Sequence, residues 1–136
     1  MESITQELLD HCSKYAMELL TETGELFPFG ALTDASGRTH HREFEVDPKN
    51  IPPNGKIMEI LLQYFEDEFE NQEAQAFAMA FESSVQVEES LWVDAITIDL
   101  KSKTEKEIPL FYFPFKMQDD GNVVFDEPFA VKRNSI

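Results

Sequence analysis

Between Ile57 and Leu100 the chain has no lysine or arginine, although the same stretch carries eleven aspartates and glutamates and much of the bulkiest apolar material. Cations are scarce throughout: 11 Lys and Arg stand against 27 Asp and Glu, a formal net charge of −16. A surface so short of positive charge repels phosphate backbones and anionic headgroups, which disfavours nucleic-acid binding and docking on an acidic membrane. It attracts basic partners or divalent cations, or it simply keeps a Phe-rich protein in solution. Cysteine is nearly absent. The single Cys12 cannot form an intramolecular disulfide, which fits a reducing compartment, so a cytoplasmic location is expected. No basic n-region with a following apolar run opens the chain, and no stretch approaches the roughly 18 apolar residues of a membrane span, so neither export nor membrane embedding is expected. Internal repeats, low-complexity tracts and linkers are missing too. So are the G-x-S-x-G elbow, the P-loop and the dinucleotide fingerprint.

What is present argues for a folded domain. The 136 residues suit a single core without disulfides or metals, and 42% hydrophobic content with twelve Phe excludes a disordered acidic chain. Ser3 and Gln6 have capping-box spacing, and Ile4, Leu8, Cys12, Tyr15, Ala16, Leu19 and Leu20 recur at helical intervals up to Gly24, which predicts a helix over about Ser3 to Thr23. The apolar run from Glu25 to Leu32, the turn Asp34-Ala35-Ser36-Gly37 and the segment ending in Phe44 and Val46 read as a hairpin, whose first strand begins near Pro28 or lies at an edge. Pro48, Pro52 and Pro53 make an extended connector, and Asn54 can cap a second helix to about Asn71, with Ile57, Ile60, Leu61, Tyr64, Phe65 and Phe69 as its apolar set. From Ala74 the period changes to two: Ala74, Ala76, Ala78 and Ala80 alternate with larger residues, leaving an alanine face that a helix can approach closely. Strands follow over about Leu91 to Lys101, Ile108 to Lys116 and Val123 to Val131, with a turn at Asp119-Asp120-Gly121-Asn122. Short connections favour an antiparallel meander. The expected fold is α+β, a two-layer sandwich in the order αββαββββ: a mainly antiparallel sheet of about five to six strands with both helices on one face.

Chemistry-bearing residues are few. On the second helix Glu59, Gln63, Glu66, Glu70 and Glu73 form a carboxylate stripe opposite the apolar face. Like charges at these spacings cost about 0.2–0.5 kcal/mol per pair in an isolated helix, so packing must offset them. Asp94 shares a strand face with Trp92, Ile96 and Ile98. Buried there, it would need hydrogen bonds or a proton; a bulge or an exposed strand end would instead leave it in water. His40 and His41 point to opposite faces of their strand and cannot converge, though one of them could pair with His11 or with an acid elsewhere. Cys12 with three scattered histidines offers no zinc spacing, the Asp119 turn lacks the alternating acids and distal Glu of a calcium loop, and no metal or cofactor is expected. Cys12 sits in the apolar stripe beside His11, at positions that do not face each other, and reads as core. Leu110-Phe111-Tyr112-Phe113-Pro114-Phe115 is either covered on both faces or, with Pro114 at an edge, available to a partner or a second copy.

The segments Gly24-Glu25-Leu26-Phe27-Pro28-Phe29-Gly30-Ala31, the turn ending in Gly37, Asp94-Ala95-Ile96 and Tyr112-Phe113-Pro114 together resemble a family of small, uncharacterised bacterial α+β proteins. That resemblance implies the fold and no activity, and brings no catalytic residues with it. Three functions compete. The first is a non-catalytic cytoplasmic binding protein whose acidic surface, centred on Glu59, Glu66, Glu70 and Glu73, docks a basic protein in an immunity-like or regulatory role. The second is a small-molecule sensor or enzyme with a pocket near Asp94, Tyr112 and His40. The third is a homodimer through an aromatic edge strand, with no other partner.

Overall fold

The computed structural model describes residues 1–133. Two helices and seven strands follow in the order α1 (Ser3–Thr23), β1 (Phe29–Asp34), β2 (Thr39–Glu43), α2 (Asn54–Glu70), β3 (Ala74–Glu88), β4 (Leu91–Ser102), β5 (Leu110–Met117), β6 (Val123–Phe125) and β7 (Phe129–Val131). All strands join one antiparallel sheet in the order β2-β1-β3-β4-β5-β6, with β7 also pairing with β5. The α+β class and the element order match the expectation; the last strand is split in two. The Asp126 N–H still donates to the Pro114 carbonyl in the β6 register, but β7 pairs with β5 one residue out of that register and Pro128 has no N–H for the ladder, so the strand is interrupted between Phe125 and Phe129.

The helices do not share a face. Strand alternation sends Ala76, Ala78 and Ala80 one way, into a core with Leu8, Cys12, Ala16 and Leu20 of α1, and sends Phe77 and Met79 the other way, into a core with Ile57, Leu61, Phe65 and Phe69 of α2. The central strand is therefore sandwiched, which is why the run from Ala74 to Ala80 is apolar at nearly every position. The three alanines, all fully buried, allow α1 to lie close, while the larger Phe77 stacks on Phe65 with ring centroids 5.3 Å apart and fills the α2 side. α1 crosses β1, β3 and β4, whereas α2 lies mainly over β1 and β3. Each helix thus leaves part of its sheet face open.

The helix ends differ from the capping chemistry that their sequence offers. Ser3 and Gln6 do not form a capping box: the Gln6 side chain donates to Asp10, and the α1 start is held instead by Glu105, whose carboxylate accepts from the Glu2 N–H at 3.0 Å and the Thr5 hydroxyl at 2.8 Å. Asn54 lies inside α2 and makes no cap, Pro53 preceding it. Gly24 does end α1, in the left-handed conformation with its N–H on the Leu20 carbonyl.

Candidate functional site

β2 is the sheet's edge, and its alternation places His41 and Glu43 on the α1 side, where their register partners Ala31 and Phe29 also point. His11 and Tyr15, one helical turn apart on α1, meet them. Nε2 of His11 lies 2.8 Å from Nδ1 of His41, and Nε2 of His41 lies 2.9 Å from Oε1 of Glu43. Donors and acceptors match along this chain when His11 donates to His41 and His41 donates to the carboxylate. Aromatic walls fix the middle imidazole: Tyr15 packs edge-on against it at 4.3 Å and Phe29 stacks on it at 5.2 Å between centroids.

Electrostatics follow from this packing. Burial, then the neighbouring His41, lowers the pKa of His11. Hydrogen bonding to Glu43, with burial and the charges of Glu43 and Glu22, pushes the Tyr15 phenol up to about 12. For Glu43 itself burial acts to raise the pKa, but hydrogen bonds from Tyr15 and His41 and the charge of His41 outweigh it, so the carboxyl is held below its ordinary value. Glu43 is consequently a fixed, ionised acceptor.

It faces a cleft of about 380 Å³ between the end of α1 and the β1–β2 hairpin. Leu19, Phe27, Phe29, Phe44 and Val46 supply its apolar surface, and Glu25, Glu43 and Glu45 its charge; no lysine or arginine lines it. An apolar lining that also carries carboxylates suits an amphipathic cation, such as the stem and head of a Lys or Arg side chain.

The residues singled out from sequence are scattered. Asp94 is exposed beyond the reach of α1, where its charge adds to burial in raising the pKa of Glu82. Tyr112 points to the opposite sheet face, since its register partner is Thr97 while that of Asp94 is Phe115. His40 lies at the far edge on β2, bonded to Asp34. The three therefore do not converge on one site. Glu59, Glu66 and Glu70 lie on α2, but Glu73, expected on the same helix stripe, stands in the turn beyond its end; Glu66 is half-buried and the other three are exposed, and two of the four pair within the chain: Glu59 with Lys56 at 3.5 Å and Glu66 with Lys101 at 3.1 Å. The aromatic strand β5 is not an edge, because β6 and β7 cover its outer side; Phe111, Phe113 and Phe115 pack on the α1 core and Tyr112 stacks on Phe129.

Of the cleft, the sequence signalled part: His11 was open to pairing with one of the adjacent histidines, and His41 is the one it meets. Tyr15, Glu25, Glu43 and Glu45 were missed, although His11 and Tyr15 stand at i and i+4 of a helix, and His41, Glu43 and Glu45 alternate along one strand direction. Among the described residues no group of three or more His, Cys, Asp or Glu is placed to hold a metal, and no helix is long and apolar enough to cross a membrane. No family model, curated protein or solved structure matches the chain, so the resemblance to a bacterial family rests on its short motifs alone.

Proposed function

We propose that this protein is a non-catalytic cytoplasmic binding protein that captures a basic protein partner, in an immunity-like or regulatory role. The observation that carries the proposal is the cleft beside Glu43, with three carboxylates on an apolar floor and no cation in its lining, in a chain of net charge −16. A basic side chain entering it would lay its stem on Phe27, Phe44 and Val46 and present its head to Glu43. Glu43 is held in advance by His41, which lowers the ordering cost of binding. The protein's field adds steering, raising the encounter rate with cationic surfaces at low salt. Glu70 at the end of α2 and Glu73 in the turn after it, both exposed, extend the acidic surface.

The test is capture of basic proteins by immobilised protein, followed by reconstitution with the purified partner. Binding should fall steeply as ionic strength rises from about 0.05 to 0.5 M. It should also weaken about tenfold or more in the Glu25→Gln/Glu43→Gln/Glu45→Gln variant. A second variant with Glu59, Glu66, Glu70 and Glu73 changed to Lys apportions the contact between cleft and helix. Capture unchanged by both variants overturns the proposal. The cleft's volume also favours a second reading, a small amphipathic amine as ligand. Saturable binding of octylamine, lost in the triple Gln variant and without any protein partner, would select it.

A further inference from the structure

We propose that the groove between α2 and the end of β4 is a second, independent site that binds a small organic anion, a monocarboxylate with an alkyl or aryl body. The cation-free run ends at Lys101, and Lys103 and Lys106 follow at once. Strand alternation puts Asp99, Lys101 and Lys103 on the α2 side, because Lys101 is in register with Phe77 of the α2 core. α2 stops short of β4, and the uncovered face leaves a cavity of about 610 Å³ floored by Phe69, Phe77 and Met79. Four of the chain's eleven basic residues line it: Lys101, Lys103, Lys106 and Arg133. In so acidic a protein this concentration is the reverse of what the overall charge supplies elsewhere.

The acids at the rim leave part of that charge unanswered. Asp99 pairs with Arg133, which also donates to the carbonyls of Ile108 and Leu100, and Glu66 pairs with Lys101. Glu105 lines the groove but is turned to the start of α1. Among the described residues Lys103 and Lys106 enter no ion pair. The Lys103 ammonium rests 4.0 Å from the Phe69 ring centroid, and that of Lys101 5.0 Å from the same centroid. Two like charges over one ring repel each other, and a carboxylate arriving between them would relieve that repulsion while its body covers the aromatic floor. A polyanion such as a nucleotide would meet the repulsion of the whole molecule several times over, whereas a monoanion meets it once.

Octanoate is the probe, followed by calorimetry and by amide chemical shifts of the intact protein. We expect saturable binding with shifts at Leu62, Phe69, Ser102 and Lys103, and Kd raised about tenfold or more in the Lys101→Gln/Lys103→Gln variant and for neutral octanol. Inorganic phosphate should not compete. The Glu25→Gln/Glu43→Gln/Glu45→Gln variant should bind octanoate as the wild type does, which keeps this site's outcome separate from that of the cleft. Equal binding of octanoate and octanol, an affinity indifferent to the lysine substitutions, competition by phosphate, or no saturable binding up to about 10 mM would each overturn the proposal.

Discussion

Gly30 shows how one residue carries the packing of two elements. It lies on β1 without unusual backbone geometry, but a Cβ there would sit 2.6 Å from Cε2 of Phe65 and would also collide with the Ala78 carbonyl oxygen. Neither neighbour can yield, since Phe65 is fully buried and the carbonyl belongs to the central strand. Gly30→Ala should therefore cost about 2–3 kcal/mol, read as a lower urea midpoint. His11 makes the fold sensitive to acid. Its folded pKa lies below 6.5, so as pH falls through the ordinary histidine range the unfolded chain takes up a proton that the folded chain refuses. Stability contributed above that range is lost until the folded His11 itself protonates. The urea midpoint should accordingly drop between pH 7.5 and 5.5, and His11→Gln should flatten that slope; an unchanged slope would refute the assignment. Asp34, whose carboxylate accepts from His40, Ser36 and the Arg38 N–H, has its pKa lowered by these bonds and should give a further loss below the usual carboxylate range.

Among elements, α1 depends on a residue a hundred positions away. Glu105 reaches from the β4–β5 connection to the Glu2 N–H and the Thr5 hydroxyl, doing what a local cap would do. Glu105→Ala should destabilise the protein by about 1 kcal/mol, with faster amide exchange confined to the first turn of α1. That tertiary cap was invisible from Ser3 and Gln6, whose spacing is right but whose side chains are used elsewhere or not at all. By contrast, the bounds of α1 and the turn of the β1–β2 hairpin were legible, because helical spacing and the Gly24 and Gly37 positions are local signals. The alanine face of β3 was legible as well. Its opposite face, with Phe77 and Met79, held the sign that both sides are covered, and that sign outweighs the simpler arrangement of both helices in one layer.

For the whole molecule, the excess of carboxylates acts on stability as well as on the partner binding proposed above. Self-repulsion at net charge −16 opposes compaction, so raising sodium chloride from about 0.01 to 0.5 M should raise Tm, in the direction opposite to its effect on capture of a basic protein. A Tm that falls over the same range would place the dominant electrostatics in attractive pairs such as Lys101 with Glu66. Composition determined that the chain folds and is acidic, and local sequence pattern that its elements run helix, hairpin, helix and strands, since each of these follows from residues close in sequence. Tertiary structure alone decided the rest: that the helices flank the sheet, that Asp94 is exposed, that His11 finds His41, and that Arg133 joins Lys101, Lys103 and Lys106 in one groove. Those outcomes hang on which faces meet across 30 to 100 residues of chain, and local periodicity orients a face without naming what it will pack against.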